Sequence, residues 1–423
     1  MRNGFAVALA ALVSSQNIAA QAPLTLEAAQ AEARAHAPDI AALDAAVRGA
    51  EAVATQARRK LRQNPEVSGS IGPGAWVGRS DELSWSIGVS QPIDVSGSWK
   101  PRSASAEADV ARAQRERDDG LRALDERVAV AHAEVALQQQ IVRRLGQVTT
   151  LQQIAADAAH RQLDVGQASQ LDADSADLDL AAARVAIEQA RGDLASARAR
   201  LARLLTRLAS ADLVVADPAE TPPRSDRPSF SELVDQDPRV RAVAAELDAA
   251  KFEQQMFARL VTPGPSVGLA YGYQRRDIPA GSFSGAPLAN ALSALWPDRE
   301  LTFNATWGLP FFDRQQESQA RATGRILAAE AKLEMTRADV RLELSAAWES
   351  LQAASRGLEA VSSMTSTIDR DITFVEQAVR AGAFDAVQRT QALRRLVESG
   401  RLVDTAVRNF RSARAAWIRQ TAR

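Results

Sequence analysis

The stretch APDIAALDAAVRGAEAVATQARRKLRQNPEVSGSI (Ala37–Ile71) is answered 200 positions later by DPRVRAVAAELDAAKFEQQMFARLVTPGPSVGLAY (Asp237–Tyr271). Without a gap, Pro38 falls on Pro238, Ala42 on Ala242, Arg59 on Arg259, Pro65 on Pro265 and Val67 on Val267. A second register joins Leu83, Trp85 and Pro92 to Leu301, Phe303 and Pro310. A third sets LDVGQASQLDADSADL (Leu163–Leu178) against VRAGAFDAVQRTQALR (Val379–Arg394), with Gly166 on Gly382. Three blocks recurring in one order mean two copies of one supersecondary unit. The copies are expected at residues 23–211 and 229–423, joined by a linker at 212–228 that carries the Pro-rich run DPAETPPRSDRP.

Each copy should hold a helix, two strands and a long helical hairpin. No proline occurs between Pro101 and Pro218 or after Pro310. Both intervals are rich in Ala, Leu, Arg, Glu and Gln, which cost least in a helix. Apolar residues recur at seven. Leu121, Val128, Val135 and Val142 alternate with Leu124, Ala131 and Leu145, and Leu180, Ile187, Leu194, Leu201 and Leu208 return in step. The second copy repeats this with Leu344, Leu351, Leu358, Ile372 and Val379, then Leu396, Val403, Phe410 and Trp417. Heptads this long predict coiled coil. Helices over 102–163 and 314–380 would each span roughly 90–100 Å at 1.5 Å per residue, with reversals at Gly166 and Gly382.

Ahead of each hairpin the period drops to two. Leu83, Trp85, Ile87, Val89 and Ile93 alternate with small or polar residues, as do Val267, Leu269, Tyr271 and Tyr273, and then Leu301, Phe303, Ala305, Trp307 and Leu309. Four segments of about ten residues, apolar on one face and ending in aromatics, read as tilted transmembrane β-strands. Both tyrosines and five of seven tryptophans (Trp76, Trp85, Trp99, Trp296 and Trp307) lie in or beside them. Trp76, Trp85, Tyr271, Tyr273, Phe303 and Trp307 are the candidates for membrane-interface aromatics. Four strands cannot close a barrel and an open edge cannot face lipid, so the chain must oligomerise; a trimer supplies twelve strands. The fold class is therefore mostly α, with a membrane β-barrel shared between copies.

Composition narrows the function. The 423 residues carry a net charge of −1, which leaves no basic surplus for nucleic acid. Residues 1–22 read as a secretory signal peptide, with Arg2, an apolar run from Phe5 to Val13, and cleavage after Ala20 or Ala22. There is no cysteine, hence no disulfide and no lipoprotein anchor. His36, His132 and His160 are scattered, not clustered as metal ligands would be, and no nucleophile–base pair or phosphate loop stands out. The expectation is no enzyme, no cofactor and no resident metal.

Taken together, LTLEAAQAEARAHAPDIAALDAAV, VSQPIDVSGSWKPRSASAEADVARAQ, WGLPFFDRQQESQARAT and the tip elements VGQASQLD and RAGAF resemble the TolC-like outer-membrane efflux protein family, closest to its CzcC-type heavy-metal ducts. The resemblance implies a homotrimeric duct in the bacterial outer membrane, spanning the periplasm. It implies a periplasmic adaptor and an inner-membrane transporter, RND in type, as partners. The hairpin tips (Val165, Gly166, Gln167, Ala168 and Leu171; Ala381, Gly382, Ala383, Phe384 and Val387) would dock the adaptor. Family members carry acidic rings six and nine residues after the tip glycine. Here Asp172 is the candidate gate residue and Gln388 and Gln391 depart from the pattern. The cargo implied is heavy-metal cations, with drugs or other organic compounds as the alternative. Readings from other classes are a trimeric adhesin, whose strands would cluster at the C-terminus, and a soluble periplasmic coiled-coil scaffold.

Overall fold

The computed structural model describes residues 23–61, 63–73, 83–207, 213–217, 228–273, 299–380 and 386–421. In chain order these form α1 (Leu26–His36), α2 (Pro38–Ala57), β1 (Glu66–Pro73), β2 (Leu83–Pro92), α3 (Trp99–Asp164) and α4 (Gln170–Leu204). The order then repeats as α5 (Phe230–Gln236), α6 (Pro238–Arg259), β3 (Ser266–Tyr273), β4 (Arg299–Thr306), α7 (Gln316–Arg380) and α8 (Ala386–Thr421). The leader at 1–22 and most of the inter-copy linker lie outside the described residues.

Two helices, not one, precede each strand pair. Both breaks fall before a proline at matching positions. Ala37 and Asp237 are extended (ψ 121° and 131°) because the ring of the following Pro38 or Pro238 disfavours helical backbone. Asp237 then caps α6 by accepting from the Arg239 N–H at 2.8 Å. The long helices also start elsewhere than expected. α3 begins at Trp99, with Pro101 inside its first turn, where a missing N–H removes no bond. Just upstream, Asp94 accepts from the Ser96 N–H and hydroxyl and from the Ser98 hydroxyl, ordering the strand-to-helix junction. Burial alone would raise that carboxyl, but those donors and Arg102 hold it below the usual range.

The chain divides into two compact units, each drawing on both copies. One comprises Asp39–Gly120 and Pro228–Leu344 and contains all four strands. Its helices pack through small residues: Ala54 and Ala57 of α2 meet Ala106 of α3, and the Ser105 hydroxyl donates to the Ala249 carbonyl of α6 at 3.1 Å. The other unit comprises Met1–Pro38, Leu121–Arg227 and Ser345–Arg423. Its core joins Leu137, Leu151 and Ala155 of α3 to Ile368, Ile372 and Val375 of α7 and Leu393, Leu396, Val403 and Val407 of α8. These include heptad positions read from the sequence, as do the buried Leu180, Leu194 and Leu201 of α4. Arg144 of α3 is paired with the buried Asp404 of α8 inside this unit.

In the same unit the start of the described chain is pinned to α3. Leu24 bridges Val215, and its carbonyl accepts from His132 Nε2 at 2.9 Å. His132 is 1% exposed, and its Nδ1 has no partner. Burial therefore lowers its pKa below the ordinary 6.5 and keeps the ring neutral. An unfolded chain takes up a proton below that ordinary value while the folded one refuses it, so this site costs stability as pH falls from about 6.5. His132→Leu is expected to lower the unfolding midpoint at pH 7.5 through the lost Leu24 bond, yet to shrink the further drop between pH 7.5 and 5.5. Thermal unfolding of both proteins in detergent at the two pH values checks this; an unchanged drop refutes it.

Candidate functional site

The four strands form one antiparallel sheet in the order β1-β2-β3-β4. Its register sorts the side chains by chemistry. One cross-strand row reads Val67, Val89, Leu269 and Phe303; the next reads Gly69, Ile87, Tyr271 and Leu301; the third reads Ile71, Trp85, Tyr273 and Arg299. The rows on the opposite face read Glu66, Ser90, Gly268 and Asn304, then Ser68, Gly88, Ala270 and Thr302, then Ser70, Ser86, Gly272 and Glu300. One face is thus large and apolar, the other small and polar. Strand alternation produces such a split only if the pairing register keeps odd residues opposite odd ones, as it does here.

The apolar face is bare. Ile71 is 74% exposed and Phe303 70%, with Val67, Ile87, Val89, Leu269 and Leu301 all exposed as well. A water-soluble sheet covers such a face. The small face is crowded instead: a Cβ at Gly88 would lie 3.1 Å from both the Ala270 Cβ and the Ser68 hydroxyl. Ser70 and Ser86 hydrogen-bond across the strands at 2.9 Å. Small side chains there let the sheet curve with that face inward, and hydroxyls keep it wettable. Among the described residues β1 and β4 are each paired on one side only, leaving two open edges.

The aromatics bracket the aliphatic rows. Trp85 and Tyr273 share the row that also holds Ile71 and Arg299, and Trp85 packs edge-on against Tyr271 with centroids 5.9 Å apart. Phe303 lies on the same face. Trp307, expected on the strand, falls one residue past the end of β4, where its indole N–H donates to the Pro263 carbonyl at 2.8 Å. Trp76 lies outside the described residues. What sequence reading left unassigned was the small face with its two carboxylates, Glu66 and Glu300; the alternation was visible, but the pairing that aligns it across strands was not.

At the first hairpin tip, Val165, Gly166, Gln167 and Ala168 form the turn between α3 and α4. Gly166 takes φ +74°, a conformation in which a side chain is strained. Val165 and Leu171 project into solvent, at 69% and 76% exposure. Asp172 has a local role: its carboxylate accepts from the Ser169 N–H at 3.0 Å, while the Ser169 hydroxyl accepts from the Asp172 N–H at 3.2 Å. That reciprocal pair is a capping box closing the start of α4. Ala381, Gly382, Ala383 and Phe384 lie outside the described residues, and Val387 is described only as backbone in the first turn of α8. Among the described residues no group of three or more His, Cys, Asp or Glu side chains could hold a metal ion. No helix among them is long and apolar enough to cross a membrane.

Residues 29–207 match the model of a family described as outer membrane efflux protein. No curated protein matches the chain. Among solved structures, the fold is shared with CusC, studied for its folding and transmembrane channel formation, at 17% identity and a TM-score of 0.71, covering 93% of this chain and 91% of that one. The outer membrane protein VceC of Vibrio cholerae aligns at 15% identity and 0.69, covering 93% and 95%. The open-state outer membrane channel MtrE of Neisseria gonorrhoeae aligns at 17% identity and 0.68, covering 93% and 88%. The outer-membrane efflux resemblance read from the sequence holds at the level of that family and fold.

A charge placed on the two faces should tell them apart. Leu269→Arg is expected to cost about 2–4 kcal/mol in lipid, the range for a cation at the midplane of a barrel's outer face, and to lower the yield of folded oligomer. Thr302→Arg, on the small face, should leave folding near wild type. Denaturant unfolding of the protein reconstituted in lipid makes the comparison; equal losses in both variants would refute the assignment of faces.

Proposed function

From a segment that matches the outer membrane efflux protein family and a fold shared with outer-membrane channels, we propose that this chain is the exit duct of a tripartite efflux system. Three copies, each giving four strands, close a twelve-stranded barrel in the outer membrane, and their helices continue it across the periplasm. The sheet carries this reading. Its apolar face suits lipid, its small polar face suits an aqueous lumen, and its two open edges require neighbours, because unpaired peptide groups cannot face hydrocarbon. Residues 1–22 act as the export signal.

The duct does no chemistry. An inner-membrane transporter of RND type supplies the energy, and a periplasmic adaptor joins it to the hairpin tips. The cargo is heavy-metal cations, a reading supported by the CzcC-type resemblance of the segments leaving each strand pair, VSQPIDVSGSWKP and WGLPFFDRQQ. A conduit need not grip its cargo, so a lining without metal-binding clusters is compatible with metal export. Because Asp172 serves the capping box, it is a weak gate, and Asp172→Asn should change helix stability more than cation passage.

Two measurements test this reading. A deletion strain challenged with zinc, cobalt, cadmium, nickel, copper and silver beside detergents, dyes and antibiotics should be sensitised to metals alone; sensitivity spread over organic compounds would keep the duct and overturn its cargo. Val165→Asp with Leu171→Asp alters only exposed tip positions. It should leave trimer yield unchanged while abolishing adaptor co-purification and resistance. Retention of both would remove the tip from the docking surface, and a soluble periplasmic monomer would overturn the duct itself.

A further inference from the structure

The duplicated chain contains one seam between its two strand pairs, the β2–β3 pairing, and this seam has a clasp. Arg259, at the end of α6, donates from Nη1 to the Gly97 carbonyl at 3.2 Å. Gly97 lies between β2 and α3, takes φ +69°, and also accepts from the Lys100 N–H. The register that sets Pro92 on Pro310 carries Gly97 onto Gln315. Gln315 takes φ +61°, and its carbonyl accepts from the Gln319 N–H in the first turn of α7. The register that sets Pro38 on Pro238 carries Arg259 back onto Arg59. Arg59 is exposed, and among the described residues no ion pair or hydrogen bond holds its guanidinium. The two halves of a second clasp thus stand at opposite edges of the sheet, one before β1 and one after β4. Resting on the duct reading above, we infer that the seam between copies repeats the seam within the chain. Arg59 of the next copy donates to the Gln315 carbonyl, beside a β4–β1 ladder in which Thr306 faces Ser70.

Transferring the in-chain register fixes the pairs. Pro92 opposite Ser266 becomes Pro310 opposite Glu66, so Leu309 faces Val67, Trp307 faces Gly69 and Thr306 faces Ser70. The faces agree, since odd residues meet odd ones and the apolar rows continue across the seam. The peptide groups agree too. The Ile93 N–H donates to the Pro265 carbonyl, so odd residues of β2 and β3 bond each other. Even residues then serve the β1–β2 and β3–β4 pairings. Among the described residues this leaves the odd positions of β1 and β4 with unspent N–H and C=O groups, as the transferred register requires. Trp307 and Leu309, beyond the in-chain ladder at 57% and 59% exposure, become its continuation. Closure is geometrically sound. Passing from Glu66 through Ser90, Gly268 and Asn304 leads to Gly72 of the next copy, an offset of six residues, hence eighteen over three copies. At ~3.3 Å per residue and ~4.8 Å between twelve strands, that stagger tilts the strands by about 45°, as membrane barrels do. One point departs from the template. Gly264, where a Cβ would lie 1.9 Å from the Ile93 carbonyl, answers to Asn64, so the two backbones stand farther apart there between copies. A long arginine side chain spans that wider gap.

Cysteine pairing tests this, since the chain has no cysteine of its own. Ser70 and Thr306 belong to opposite edge strands, so Ser70→Cys with Thr306→Cys links copies and not one chain. Oxidation of the full-length protein in membranes with copper–phenanthroline should convert most of it to covalent trimer on non-reducing gels. Ser68→Cys or Gly72→Cys, each with Thr306→Cys, stands two residues out of register and should link at least fivefold less. Arg59→Met should lower the temperature at which the unlinked trimer dissociates in SDS. Arg58→Met should not, because Arg58 pairs with Glu107 inside the chain. Closing the engineered disulfide should restore what Arg59→Met loses, which an in-chain folding role would not allow. Preferential linkage of an offset pair, no linkage in a protein that is trimeric by size, or an Arg59→Met trimer as heat-stable as wild type would overturn the inference and leave the duct reading standing. Folded protein that is monomeric by size and links through no pair would overturn the duct reading itself.

Discussion

A four-stranded antiparallel ladder whose outer strands, among the described residues, each lack a partner on one side is the constraint on which the rest depends. In water an open edge is a tolerable liability, managed with charge or bulges. In hydrocarbon each unpaired peptide group costs several kcal/mol, and about half the residues of the eight-residue β1 and of the eight-residue β4 would incur that cost together. A single copy therefore cannot be a stable membrane sheet. Pairing β4 of one copy with β1 of another preserves antiparallel order, since strand direction alternates across the ladder. The duplication serves the same end: each copy supplies one hairpin, and the β2–β3 pairing fuses the two hairpins into a wider arc than either could offer alone.

Apolar residues are used in opposite ways in strands and helices. Along the helices the buried positions are often alanines, such as Ala155, Ala159, Ala176, Ala197 and Ala413, which let backbones approach closely and give each contact little area. Such packing is extensive and individually weak, stabilised by length. Along the strands the large side chains point away from the chain's own interior, and the small ones point to the other face. Reversing that pattern would produce an ordinary soluble sheet. The inversion is thus the pattern that a sheet facing lipid, and not water, would require.

Much of this was legible in the sequence because period is a direct readout of geometry. The heptads predicted which leucines and valines would be buried, and Val128, Val135, Leu344 and Leu351 are among the most enclosed side chains in the chain. The alternation around Trp85 and Leu269 located strands to within a few residues. Three things were missed. Trp307 continues the alternation numerically but lies beyond the ladder, because period does not reveal where pairing stops. Both helices before the strand pairs are split, which a closer reading of Pro38 and Pro238 could have found. The interleaving of the copies across two compact units follows from tertiary contacts that no local pattern encodes.

The placement of carboxylates shows how secondary structure decides what an acid can do. Asp172 stands at the start of α4, where the first turn presents N–H groups with no helical acceptor, and its carboxylate turns back to take one. An acid at such a position stabilises the helix, so acidity near the tip is poor evidence for a ring facing the conduit. In a strand the situation is inverted. Around Glu300 the backbone is extended and paired with β3, so the side chain has no helical first turn to cap. Its carboxylate accepts from the Thr302 hydroxyl two residues on, at 3.2 Å. The same side-chain chemistry thus closes a helix start in one setting and decorates a sheet face in the other, and the backbone decides which.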